Sequence, residues 1–275
     1  MERILSEIDG FPRAWLYFPA PPGAPLVVVL TGTGGTAAWL DRETGWSKLA
    51  SQEGFALAIP EATPPDRTAP PSFLTNPPRW NDGSPSHSDS PLPDDISFLS
   101  AVIAGAAGRG ADPHRVFVTG FSNGAGMAFR FAAERADRVS AIAPVAGYCW
   151  VHEPKPARPV PTLYTVGTGD LLLPFRGGEV QLPWTNRLVR RPPVTDTLER
   201  WATALGCSPV PIVQREGTVR VDRYPGPVLF DAVTVEGLGH HWPGGRAQLN
   251  PRMAGPPSDA VNATEMIWAF FKQHL

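Results

Sequence analysis

Runs of apolar residues without polar interruption recur along this chain. Residues 26–30 (LVVVL) and 55–59 (FALAI) are apolar at every position, which suits strands covered on both faces better than half-exposed ones. Residues 115–119, 139–145, 160–166 and 231–235 read as further strands of the same kind. Between them apolar residues return every three or four positions, the spacing of a helix that lays one face on a sheet. Residues 46–53 show it, as do residues 94–107 through Ile96, Leu99, Val102 and Ile103, and residues 260–271 through Val261, Met266, Ile267, Phe270 and Phe271. Strand, helix and strand in alternation predict right-handed parallel crossovers, hence an α/β fold: a mostly parallel central sheet with helices on both faces. At the start, two short extended segments, 3–8 and 13–18, are joined by Asp9-Gly10, a dipeptide that favours a tight hairpin, so an antiparallel pair is expected there.

Two long connections interrupt this rhythm. Residues 62–93 are polar and proline-rich, broken by Phe73, Leu74 and the cluster Arg79-Trp80-Asn81-Asp82-Gly83; residues 171–193 contain Gly177-Gly178 and Trp184. Loops of that length usually serve a site, and both are expected to wall one. The 33 Pro and 27 Gly fall mainly between the periodic segments and read as rigid loops, with residues 1–275 forming one domain.

Charge narrows the partners. With 24 Lys+Arg against 26 Asp+Glu and no basic run, the chain offers no footprint for nucleic acid or an anionic membrane, and a small-molecule partner is expected. The opening MERILSEIDG lacks the basic-then-apolar pattern of a signal peptide, so a cytoplasmic location is expected. Cys149 and Cys207 could pair once or both fill the core as small hydrophobes, the second being the simpler reading.

The candidate chemistry begins at residues 116–127, VFVTGFSNGAGM, where a β-branched run breaks at Gly-x-Ser-x-Gly and continues as a helix. A strand that turns sharply into a helix at a serine lifts the hydroxyl out of the fold, which makes Ser122 a candidate nucleophile. The competing reading is a tight turn whose serine merely caps the helix. A Gly-rich loop, Thr31-Gly32-Thr33-Gly34-Gly35-Thr36, follows the first buried strand. It lacks the endings of a phosphate loop or a dinucleotide fingerprint, leaving two uses: backbone N–H groups aimed at a developing oxyanion, or a flexible turn.

A serine hydroxyl needs a base to take its proton, and the base needs a carboxylate to fix its tautomer. Asp170 follows the 160–166 strand in Gly167-Thr168-Gly169-Asp170, and His240 and His241 sit in the Gly-rich loop after residues 231–235. The order Ser, Asp, His is that of α/β-hydrolases. Asp196, in an expected helix, and Asp222, in a charged strand pair, are competing acids; His241 competes with His240. His87, His114 and His152 read as solvated. No histidine or cysteine spacing suggests a metal site, and serine chemistry needs no cofactor.

The blocks PLVVVLTGTGGTAA, TGWSKLASQEGFALAIPEA, RWNDG, DDISFLSAVIAG, DPHRVFVTGFSNGAGMAFRFAAERADRVSAIAPVAG, GTGDLLLPFRGG and GLGHHWPGG resemble the polyhydroxybutyrate depolymerase and feruloyl-esterase-like group of α/β-hydrolases over most of the chain. The resemblance implies an α/β-hydrolase fold and a serine carboxylic-ester hydrolase with Ser122, Asp170 and His240 at the catalytic positions. His240 is favoured over His241 because the family's histidine stands in Gly-His-x-Trp-Pro-Gly. It also implies oxyanion donors at the N–H groups of Thr33 and Asn123. One departure is Thr31-Gly32, where the family usually writes His-Gly. Trp46, Trp80, Trp184 and Trp242 are candidate walls for a small or oligomeric ester. A peptidase or amidase of the same fold, or a binding protein that kept the elbow and lost catalysis, are the alternatives.

Overall fold

The computed structural model describes residues 1–8, 10–85, 93–183 and 188–275. Strands β1 (Glu2–Ile8) and β2 (Phe11–Phe18) pair antiparallel, from Glu2 opposite Tyr17 to Ile8 opposite Phe11. Gly10 turns between them with φ +74°; Asp9 lies outside the described residues. The chain continues as β3 (Leu26–Leu30), α1 (Ala37–Thr44), α2 (Trp46–Glu53), β4 (Ala56–Pro60), α3 (Asp95–Ala107), β5 (Val116–Phe121), α4 (Asn123–Glu134), β6 (Ala141–Val145) and β7 (Thr162–Gly167). Then come β8 (Gly178–Gln181), β9 (Leu188–Arg191), α5 (Val194–Ala204), β10 (Ile212–Glu216), β11 (Val219–Arg223), β12 (Phe230–Val235), α6 (Pro251–Ala254) and α7 (Ala263–Phe271).

Ten strands form one sheet in the order β1-β2-β4-β3-β5-β6-β7-β12-β11-β10. The six from β4 to β12 run parallel, and both flanks are antiparallel. All-apolar strands are explained by cover on both sides. In β3, Leu26, Val28 and Leu30 face the core under α3, α4 and α5, whereas Val27 and Val29 face the core under α1, α2 and α7. The chain leaves β3 for β4 on one side and returns to β5 on the other. In an open α/β sheet, the crevice above the strand ends at such a reversal is where ligands bind.

Two elements depart from the expectation. Helix α1 was not anticipated: its stretch AAWLDRET has little apolar periodicity, but Thr36 accepts the Trp39 N–H at its start, and Ala37 and Leu40 are buried. The 171–193 connection carries the hairpin β8–β9, a two-stranded sheet separate from the main one. The long 62–93 connection folds back on itself within its described part. The Asn76 amide donates to the carbonyls of Asp66, Ala69 and Pro70, and a bridge joins Thr63 to Arg79. Its far end is pinned by Asp95, whose buried carboxylate accepts from Arg13 of β2 at 2.7 Å and from the Asn81 N–H at 2.6 Å. Cys149 and Cys207 are both free and buried. Among the described residues no helix is long and apolar enough to cross a membrane.

Candidate active site

The Gly-x-Ser-x-Gly turn joins β5 to α4, and Ser122 sits in it with φ 57° and ψ −117°. A non-glycine residue at positive φ costs about 1–3 kcal/mol and persists only where its surroundings over-determine it. Here they do. The Ser122 N–H donates to Val145 O of β6 at 2.9 Å, and its carbonyl accepts from the N–H groups of Ala125 and Gly126. The glycine spacing has a steric cause, because the first turn of α4 crosses directly over β5 and the end of β3. A Cβ on Gly120 would stand 2.5 Å from Gly124 O, and one on Gly124 would stand 2.5 Å from both Leu30 O and Thr31 O. As the residue before the helix, Ser122 makes no side-chain cap hydrogen bond, so the capping reading of this serine does not hold.

Asp170 and His240 meet across the ends of β7 and β12. His240 Nδ1 lies 2.7 Å from Asp170 Oδ2, with both side chains nearly inaccessible to solvent. The other carboxylate oxygen, Oδ1, accepts from the N–H groups of Leu172 and Leu173 at 2.9 and 2.7 Å. A carboxylate only accepts hydrogen bonds, so Nδ1 carries the imidazole proton and the opposite nitrogen, Nε2, is left as a base. The Phe121 ring lies against the imidazole at a centroid distance of 4.8 Å. His241 points elsewhere, its Nε2 lying 2.8 Å from Gly255 O. Asp222 is engaged by Arg220 at 2.7 Å, and Asp196 lies in the first turn of α5 beside a different cavity.

The 31–36 loop arches over the start of α4. Among the described residues the N–H groups of Thr33 and Asn123 are not spent on other protein groups, and both residues line the cavity that holds Ser122. Among the described residues the buried Thr31 hydroxyl has no partner, so none of them uses it to prop the loop. Trp80 does: its indole N–H donates to Thr31 O at 2.9 Å, while its backbone exchanges hydrogen bonds with the Asn123 amide at 2.6 and 3.1 Å. One residue thus ties the loop after β3 to the first residue of α4.

Two cavities open from Ser122 and His240. The narrower and more polar of them, about 70 Å³, is lined by Arg79, Asp82, Tyr148, Trp150 and Arg191 together with Leu172, Leu173 and Leu182. A wider apolar one, about 380 Å³, is lined by Trp39, Phe73, Leu172, Leu249 and Met253. Three of the tryptophans expected as walls, Trp46, Trp80 and Trp242, do not line these cavities. Trp46 is in the core edge-on to Phe55, and Trp80 is fully buried behind the loop it holds. Trp242 is buried beneath Phe121 with its indole N–H on Thr264. Burial takes all three out of reach of a ligand. Trp184 lies outside the described residues. The aromatic lining comes instead from Trp39, Phe73, Tyr148 and Trp150. Sequence reasoning named neither Arg191 nor Tyr148: Arg191 falls inside the 171–193 connection expected to wall the site, and Tyr148, just after β6, carries no local signal.

No protein-family model matches the chain. It is 31% identical over 259 residues to the protein named "Putative esterase NocK" of Nocardia uniformis subsp. tsuyamanensis, covering 86% of this chain and 70% of that one. It is 27% identical over 242 residues to feruloyl esterase B of Piromyces equi, covering 81% of this chain and 40% of the other, so it spans less than half of that relative. The structure of the acetyl xylan esterase from Aspergillus awamori superposes with a TM-score of 0.61 over 87% of this chain and 93% of that one, at 14% identity, a likeness of fold. With an α/β-hydrolase sheet and 31% identity to the Nocardia esterase over most of both chains, the chain belongs to the same family of esterases and is a carboxylic ester hydrolase.

Proposed function

We propose that Ser122, His240 and Asp170 hydrolyse a carboxylic ester through a covalent acyl-serine. The observation that carries this reading is the His240–Asp170 contact of 2.7 Å beside the two cavities that Ser122 and His240 share. His240 Nε2 takes the Ser122 proton as Oγ bonds to the ester carbon. The N–H groups of Thr33 and Asn123 receive the charge that develops on the carbonyl oxygen. The leaving alkoxide departs with the proton returned from His240. Water, deprotonated by the same nitrogen, then cleaves the acyl-serine to the free acid.

Substrate size follows from the cavities. A small soluble or oligomeric ester fits with one half in the apolar space, which suits an aliphatic or aromatic group, and the other in the narrow polar one. The names of the relatives place feruloyl and acetyl esters first in a test panel, with hydroxybutyrate oligomers beside them. Replacing Ser122 with Ala is expected to lower p-nitrophenyl acetate turnover by at least a thousandfold with an unchanged circular-dichroism spectrum, and a fluorophosphonate is expected to label Ser122 alone. Turnover within tenfold of the parent in S122A refutes the proposal.

A further inference from the structure

The polar cavity holds a charge that the ester chemistry above does not use. Arg191 ends β9, just before α5, and lines the cavity with Ser122 and His240. Its Nε is closed off from solvent and has no hydrogen-bond partner among the described residues. Among the described residues it makes no ion pair. Asp82 and Asp170 act on it through space only, and Asp170 already spends its two oxygens on His240 and on the amides of Leu172 and Leu173. Its guanidinium carbon stands 5.6 Å from the centre of the Trp150 ring, which packs edge-on against Tyr148 at 5.1 Å. Tyr148 lines the same cavity, and its hydroxyl is likewise buried without a partner among the described residues. Burial pushes that phenol well above its usual range, so it stays a donor.

An arginine Nε sealed from water with no acceptor on it leaves a desolvated donor unmet, which is costly, and arginine does not escape by losing its proton. Five N–H donors in a rigid fork beside a neutral hydroxyl make a pair of groups that only an acceptor-rich anion satisfies. A carboxylate is small and planar enough for a space this narrow.

We propose that Arg191 and Tyr148 form a carboxylate subsite, so that the substrates of this enzyme are esters carrying an ionised carboxylate in the half that occupies the polar cavity. This rests on the reading of Ser122 and His240 as the ester-cleaving pair. The class covers half-esters of dicarboxylic acids, with the carboxylate in the acyl half, and esters of hydroxy acids, with it in the alcohol half. Arg191 is a specificity-determining residue here and takes no part in the bond changes.

Two pairs of near-isosteric probes test this. Monoethyl adipate is compared with ethyl adipamate, and the acetate ester of 4-hydroxybutanoate with that of 4-hydroxybutanamide, so that each pair differs in charge and hardly in shape. The parent is expected to favour the carboxylate member of at least one pair by tenfold or more in kcat/KM. That ratio is expected to collapse at least tenfold in R191Q and to recover in part in R191K. An absent preference in the parent, or one that survives R191Q, overturns the subsite. If the parent cleaves no ester of the panel, the esterase reading fails by itself. Calorimetric binding of the adipamate anion against neutral adipamide, to the parent and to R191Q, then decides the subsite: preferential, Arg191-dependent binding supports it and equal binding overturns it.

Discussion

Replacing Asp170 with Asn isolates the step on which the mechanism turns. The two side chains have the same shape, and Asp170 lines neither of the cavities at Ser122, so binding of substrate should hardly change. What changes is the direction of one hydrogen bond. The N–H groups of Leu172 and Leu173 both point at Oδ1 and require an acceptor there. An asparagine must therefore leave its carbonyl oxygen on those amides and turn its NH2 toward His240 Nδ1, which lies 2.7 Å from the present Oδ2. Nδ1 then has to accept, the proton moves to Nε2, and the base that would take the Ser122 proton is gone. Comparable inversions of an imidazole tautomer cost about 10⁴ in kcat, or about 5.4 kcal/mol at 1.36 kcal/mol per tenfold. Initial rates on p-nitrophenyl acetate, with kcat and KM measured separately, read this directly, and a thermal melt checks that D170N folds. Asp196 on α5 serves as the control, since D196N should retain full turnover. A D170N enzyme within tenfold of the parent refutes the reasoning, as does an equal loss in D196N.

Three further outcomes follow from groups outside the triad. W80F removes the indole N–H that holds Thr31 O and leaves a buried carbonyl unpaired, which should cost about 2–3 kcal/mol in urea unfolding and lower kcat about tenfold through a loosened loop; an unchanged kcat would show that the loop is held by other contacts. The thiol of Cys149 is fully buried and pushed up to about 12, and burial raises that of Cys207 as well, so neither should react with Ellman's reagent at pH 8 until the protein is unfolded, when two thiols should titrate. Because the unfolded thiols ionise first as pH climbs past about 8.5, the same burial makes stability fall with rising pH above that value, which alkaline denaturation midpoints of C149A against the parent can read.

Much of the frame was legible in the chain. Uninterrupted apolar runs such as residues 26–30 name a strand covered on both faces, and the alternation of such runs with helical spacing names the α/β class, because both signals come from the period of the backbone itself. The glycines flanking Ser122 were legible for a related reason: only residues without Cβ allow α4 to cross β5 so closely. Helix α1 was not, since its hydrophobic pattern is weak and its stability comes from Thr36 and from what Ala37 and Leu40 bury against.

The sequence by itself determined the sheet, the elbow, and the order in which serine, acid and histidine appear along the chain. Tertiary structure decided which side chains surround them. Trp46, Trp80 and Trp242 look identical in sequence to a wall residue such as Trp150. Whether an indole faces a cavity or the core depends on what covers it from elements distant in the chain: Phe55 for Trp46, Thr31 and Phe98 for Trp80, Thr264 for Trp242. The same holds for Arg190 and Arg191. Neighbours on one strand, they face opposite sides of the hairpin, so Arg190 is exposed and Arg191 turns toward Ser122. That Arg191 Nε meets no acceptor among the described residues is visible only once the elements around it are folded together.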